Sequence, residues 1–93
     1  MNRLVLNAQL LERGALRYTP AGLPALDLGL KHESQVTQDG QVRQVWFEIR
    51  ARAIGAISQR VAALELGGTY GFAGFLGSAR NGRGVVFHVT ELD

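Results

Sequence analysis

The residues of this chain whose types suit a chemical task are one tryptophan and several arginines. Trp46 is the only tryptophan, and it alternates with Gln44, Glu48, Arg50 and Arg52. A tryptophan ring offers a flat face on which an aromatic base can stack, and a guanidinium group pairs with phosphate oxygens. From the alternation alone, Trp46 fits a stacking platform as well as a ring that covers the domain or fills a dimer contact. Arg50 and Arg52 also fit an ordinary solvated surface.

Two loops supply further basic and aromatic side chains. The last loop, Ser78 to Gly84, is rich in glycine, which lets a backbone approach a phosphate closely. The first loop precedes a turn that holds both prolines of the chain. Each loop could hold a nucleic-acid strand or be a plain surface turn. The residues in question are Arg80 and Arg83 in the last loop and Arg13, Arg17 and Tyr18 in the first.

Residue patterns that support catalysis are scarce. His32 and His88 are the only histidines, there is no cysteine, and no serine lies in a nucleophile-elbow pattern. The spacing from Gly77 to Gly82 resembles the start of a phosphate-binding loop, but arginine and glycine follow where lysine and serine or threonine are needed. We therefore expect no enzyme, no metal site and no cofactor.

Length and composition indicate one globular domain covering residues 1–93. Apolar residues make up 46% of the chain and charged residues 19%, and the formal net charge is +2. The lack of cysteine suits a reducing compartment. The N-terminal apolar run is too short and polar for a signal peptide or membrane span, so we expect a cytoplasmic location away from membranes.

Three strands are predicted in the first part of the chain. Apolar residues alternate from Arg3 to Leu11, again from Leu26 to Lys31, and again from Val42 to Ala53. The polar segment Glu33 to Gln41 is predicted to be a turn centred on the Asp-Gly pair at 39–40. In the third strand, the residues expected to face the core are Val45, Phe47, Ile49, Ala51 and Ala53.

In the second part of the chain, the spacing of the apolar residues changes. Ile57, Val61 and Leu64 recur at helical spacing between Gly55 and Leu66, which predicts one short helix. Strands are predicted at 69–77 and 85–92, with an Asn-Gly pair at 81–82 marking the tip of their hairpin. The prediction is an all-β, five-stranded OB-fold barrel with the helix between strands three and four, a fold that binds oligonucleotides on a strand face and in its loops.

Several short segments resemble the primosomal replication protein N family (PriB), which is related to bacterial single-stranded DNA-binding protein (SSB). The resemblance extends over essentially the whole chain. The segments that carry it are Asn2–Leu6, Thr19–Pro24, Leu30–Ser34, Arg43–Trp46 and Asn81-Gly82.

The resemblance implies a homodimer that binds single-stranded DNA at stalled forks and assists the primosomal helicase, with other primosome proteins and SSB as further partners. Carried over position by position, it assigns DNA contacts to Trp46, Arg17 and Arg80. Arg83 is added from the local chemistry of its loop. No enzymatic activity is implied.

The chain departs from better-known members of the family in its charges. Its last loop is shorter and carries two arginines in place of several lysines, and Glu12 and Glu33 stand at positions that can be basic in relatives. Two alternatives therefore remain, a module that mainly binds proteins and a minimal SSB. The chain ends at Leu92-Asp93, directly after the last predicted strand, so we expect no acidic-tipped tail of the SSB kind.

Overall fold

The alternating apolar segments form six strands in the computed structural model, which describes residues 1–93. One short helix interrupts them. The strands are β1 (Leu4–Arg13), β2 (Arg17–Tyr18), β3 (Pro24–Gln38), β4 (Gln41–Ile54), β5 (Thr69–Ser78) and β6 (Val85–Leu92), and the helix is α1 (Ile57–Ala62).

The five long strands close into a barrel. They follow one another in the order β1, β5, β6, β4, β3, and β3 pairs again with β1. Closure depends on β1, which pairs with β5 over Leu4–Gln9 and with β3 over Gln9–Arg13. The change of partner coincides with an irregularity between Leu10 and Glu12, where a bulge bends the strand. The predicted all-β, five-stranded barrel is confirmed.

The predicted position of the helix is wrong. The helix lies between the fourth and fifth strands and not between the third and fourth. The difference arises from β2, whose two residues pair with Ala25 and Pro24 of β3 and belong to a segment that the prolines marked as a turn. Within the predicted interval the helical spacing is confirmed: Val61 is fully buried, and Ile57 and Leu64 pack against the core.

The prediction of a polar turn from Glu33 to Gln41 is also wrong. Only Asp39 and Gly40 turn, and the ladder between β3 and β4 continues up to the pair Gln38–Gln41. Both turn residues have positive φ, 51° and 76°, as the tight turns that suit the twist of a hairpin require. Residues 33–46 thus form a two-stranded arm that extends beyond the ladder between β1 and β3. Its polar side chains reflect exposure on both faces.

The core lies inside the barrel and is built from alternate residues of every long strand. Four of the five predicted inward residues of β4 are confirmed, since Ala51 and Ala53 are buried and Phe47 and Ile49 pack against the core. The fifth, Val45, lies in the arm, where it is half-buried and outside the core. The largest fully buried side chains are Phe72 of β5 and Phe87 of β6.

The helix is too short to cross a membrane.

Candidate nucleic-acid interface

Trp46 stands on the outer face of β4, at the base of the arm. Its neighbours Val45 and Phe47 turn toward the inside of the barrel, whereas the indole side chain is 67% exposed. The cross-strand partner of Trp46 is Glu33 of β3, which forms an ion pair with Lys31 at 3.0 Å. The exposed ring does not cover the barrel in the single chain. A stacking platform and a dimer contact remain as its two roles.

The arginines that follow Trp46 on the same face of β4 are held by carboxylates. Arg50 donates to Glu12 Oε1 of β1 through Nη1, and Arg52 donates to Asp27 Oδ1 through Nε at 2.9 Å. Neither carboxylate could be assigned to its arginine from the sequence, because both pairings join distant parts of the chain. The terminal nitrogens of Arg52 make no hydrogen bond within the chain.

Arg17 of the first loop belongs to the same cluster as Arg52. Its Nη2 donates to both carboxylate oxygens of Asp27, at 3.1 and 3.2 Å. Burial alone raises the pKa of Asp27, but the hydrogen bonds and positive charges of Arg52 and Arg17 outweigh burial and lower the pKa below its ordinary value. The cluster therefore carries two guanidinium groups and one ionised carboxylate, a net charge of +1.

The other two candidates of the first loop have different environments. Arg13 donates through Nη1 to the carbonyl oxygen of Leu64 at 2.7 Å and more weakly to that of Val61. This contact satisfies carbonyl groups at the C-terminal end of the helix and ties β1 to it. The side chain of Tyr18 is 67% exposed and has no hydrogen bond within the chain.

The last loop presents its two arginines to solvent. Gly82 and Gly84 adopt positive φ, and the side chain of Asn81 accepts a hydrogen bond from the backbone N–H of Arg83, so the predicted hairpin tip is confirmed. Arg80 and Arg83 are both exposed, and neither guanidinium group has an ion pair or hydrogen bond. Among the ten basic side chains, only Arg60 on the helix is equally unengaged.

The strand register places the last loop at the same end of the barrel as Trp46. β4 and β6 run parallel, with Ala51 beside Phe87 and Ala53 beside Val89. Followed back to the first residue of β6, this register puts Val85 level with Ile49, so the loop that precedes Val85 lies toward the end of β4 that carries Trp46. The helix lies at the other end, roughly 30 Å away along the ten residues of β5. The structure thus brings an exposed indole and two free guanidinium groups to one end. It leaves Arg13, Arg17 and Tyr18 at the other, because β2 pairs with β3 level with Ile54.

A pair of stacked aromatic rings on the outer surface was not predicted as a site. Phe75 of β5 and His88 of β6 stack with ring centroids 4.8 Å apart and an angle of 8° between the rings. His88 is a half-buried residue of β6. The available signal was that His88 alternates with buried neighbours, and this places its ring outside the barrel.

Comparison with known proteins finds one matching family and several similar proteins. A family described as "Another single-strand binding protein family" matches residues 2–91. The replication restart protein PriB of Bordetella pertussis is 49% identical over 80 residues, which cover 86% of this chain and 75% of that protein. PriB of Neisseria meningitidis serogroup B is 51% identical over 55 residues, covering 58% and 55% of the respective chains.

Solved structures agree with the fold described above. PriB from Ralstonia solanacearum matches with a TM-score of 0.90 and 36% identity, covering 100% of this chain and 96% of that one. Single-stranded DNA-binding protein from Thermus aquaticus matches with a TM-score of 0.76 and 29% identity, covering 100% of this chain and 49% of that one.

Proposed function

We propose that this chain, which belongs to the PriB family of replication restart proteins, binds single-stranded DNA with Trp46 and the last loop and performs no reaction on it. The observation that carries the proposal is the exposed indole at the same end of the barrel as Arg80 and Arg83. Any base can stack on the indole, and the free guanidinium groups can pair with any backbone phosphate. The combination predicts binding with little sequence preference.

The remaining candidate residues are proposed to contribute to DNA binding to different degrees. Arg17 and Arg50 can reach phosphate only by sharing or leaving a carboxylate, so each contributes less than a free arginine of the last loop. Tyr18 offers a second exposed ring in the first loop. Arg13 supports the surface indirectly, because its guanidinium group is directed to the helix carbonyls.

The proposed setting is replication restart at stalled forks in the cytoplasm, together with the primosomal helicase. The name of the relatives, replication restart protein, supports this setting. A competing function, a module that mainly binds proteins, is favoured by the charge balance: five ion pairs use half of the ten basic side chains. The two functions differ in how salt affects binding to oligonucleotides.

Salt dependence is expected to identify the arginines that meet phosphate. For each neutralised phosphate, log affinity for single strands falls by about 0.7 per unit of log salt. We expect Arg80→Ala and Arg83→Ala each to weaken binding of oligo-dT and to flatten the salt slope by about that amount. The measurement is a fluorescence titration of labelled oligo-dT at several salt concentrations.

Arg60→Ala is the matched control for this experiment. Arg60 has an equally free guanidinium group, but it lies on the helix at the opposite end of the barrel. Its removal changes the net charge by the same amount and should leave the slope unchanged. A wild-type slope indistinguishable from zero would exclude the loop arginines from phosphate contact and favour the protein-binding module. Equal effects of all three substitutions would reduce the role of the arginines to general charge.

We further propose that the protein is a homodimer that pairs through the first half of β1. Over Leu4–Ala8 this strand is paired with β5 on one edge only, because β3 joins its other edge from Gln9 onward. On that open edge, the carbonyl oxygen of Asn7 accepts a hydrogen bond from Nδ1 of His32, and Val5 nearby is 63% exposed. An open strand edge favours pairing with another strand, and a twofold axis would satisfy both copies at once.

Sedimentation equilibrium at micromolar concentration should give twice the mass of the chain. Asn7→Pro removes the N–H that faces the open edge, since the N–H and C=O of one residue point to the same side of a strand. We expect this variant to sediment as a monomer while circular dichroism still reports the barrel. A monomeric wild type, or a dimer that ignores the proline, would contradict pairing through this edge.

A further inference from the structure

The stacked pair of Phe75 and His88 lies on the outer surface of the barrel and has no role in the core. His88 separates the buried residues Phe87 and Val89, so its ring points outward. Phe75 stands directly across from it in the ladder between β5 and β6 and is 41% exposed. The nearly parallel rings stack on each other, and the surface that remains for a further aromatic ring is the exposed part of Phe75.

Gly77 provides the space for the imidazole ring. It lies two residues after Phe75, on the same face of β5, and a Cβ added there would come within 3.0 Å of Nε2 and 3.1 Å of Cδ2 of His88. Such contacts are tighter than an ordinary van der Waals separation. The glycine therefore lets the ring lie low over β5 beside Phe75.

A basic side chain borders the aromatic surface. Arg52 is the register partner of His88 on the parallel strand β4, and both residues line a shallow pocket of about 210 Å³ together with Ile54, Phe75, Val89 and Thr90. Arg52 uses Nε for Asp27 and keeps its terminal nitrogens available. Burial, and secondarily the charge of Arg52, lowers the pKa of His88, so the ring of the pair is neutral at neutral pH.

We propose that the Phe75–His88 pair is a second stacking site for a base of single-stranded DNA, with Arg52 contacting a neighbouring phosphate. The inference rests on the proposed function and extends it to a new subsite. An exposed aromatic ring beside free guanidinium nitrogens matches the base and the phosphate of one nucleotide.

The position of the pair supports a continuous path for the strand. Trp46 and Arg52 lie on the same face of β4, six residues or roughly 20 Å apart. From Arg52 the path crosses to His88 and Phe75 on the adjacent strands. A single OB fold binds about 4 to 16 nucleotides. A bound strand near the upper end of this range can reach from Trp46 to the Phe75–His88 pair, whereas one at the lower end cannot.

The test uses Phe75→Leu, which keeps an apolar side chain but removes the π surface, and Phe75→Tyr, which restores it. Affinity is measured with oligo-dT of about 4 and about 16 nucleotides, the ends of the site-size range. We expect Phe75→Leu to weaken binding of the long oligonucleotide about 5- to 10-fold, the lower part of the range for one lost base stack, and to leave the short one unchanged. Phe75→Tyr should bind like the wild type.

Leu66→Ala is the control, since Leu66 is 52% exposed on the loop after the helix and lies outside the proposed path. A readout on the unaltered protein avoids any question of folding. Ultraviolet irradiation of the wild type with oligo-dT, followed by digestion and mass spectrometry, should place a thymidine adduct on Phe75 or His88 as well as on Trp46.

The outcomes separate the second site from the proposed function. If the wild type binds and Trp46 fluorescence is quenched, but Phe75→Leu has normal affinity and adducts form only at Trp46, the second site is wrong and the proposed function stands. If the wild type binds no oligonucleotide of either length, the proposed function fails and the second site with it. If Phe75→Leu changes only self-association in sedimentation, the surface is a protein interface and the proposal is overturned.

Discussion

Replacing Trp46 with alanine is expected to weaken binding of single-stranded oligonucleotides by roughly 1 to 3 kcal/mol, the contribution of one stack between a base and an aromatic ring. The loss should be nearly independent of salt, because the contact is not ionic. The fold should survive, since the indole is 67% exposed and its neighbours Val45 and Phe47 face inward. Titration with oligo-dT at two salt concentrations, together with thermal melting, measures both effects.

The intrinsic fluorescence of the wild type provides an independent test of the same stack. Trp46 is the only tryptophan, so its emission reports one environment. We expect quenching on addition of oligo-dT. Leu66→Ala is again a suitable control, because it removes an exposed apolar side chain elsewhere. If Trp46→Ala dissociates the dimer and wild-type emission ignores DNA, the indole is an interface residue and the platform interpretation fails.

The features that could be predicted from the sequence are those that depend on neighbours in the chain. Alternation in β4 placed Trp46 outside and Phe47 toward the core, and the structure confirms both positions. The Asn-Gly and Asp-Gly pairs identified their turns, because positive φ is a local requirement. The arm was missed since its strands are exposed on both faces, so no apolar alternation distinguishes them from a loop.

The features that could not be predicted depend on pairings between distant strands. The carboxylates that hold Arg17, Arg50 and Arg52 come from β3 and β1, and no spacing in the sequence relates them to their arginines. The placement of the last loop at the same end of the barrel as Trp46 follows from the parallel register of β4 and β6, which only the closed barrel defines. The stack of Phe75 on His88 likewise requires the register of β5 and β6.

That register contains one irregularity, and Gly74 permits it. Ala73 pairs with Glu91, but Gly74 pairs with Val89, so Thr90 is left over as a bulge. At this bulge the two strands approach closely: a Cβ added to Gly74 would overlap the carbonyl oxygen of His88 and lie 2.8 Å from its carbonyl carbon. Bulges commonly redirect a side chain, and this one immediately precedes Phe75 and sets where its ring meets His88.

Gly74→Ala is therefore expected to be among the most damaging small substitutions in the chain. The obstructing atoms are backbone, which cannot rotate away, so the strands must separate at a cost of about 3 kcal/mol, the upper part of the usual range for overpacking. For a domain of this size the melting temperature should fall by roughly 12 to 24 °C, measured by circular dichroism at matched protein concentration. Gly14→Ala is the control, because the nearest atom to its added Cβ is the carbonyl oxygen of Asp27 at an ordinary 3.6 Å. Similar melting temperatures for the two variants would show that β5 and β6 can separate at the bulge without strain, and Phe75 would then owe its position to the stack with His88 and not to Gly74.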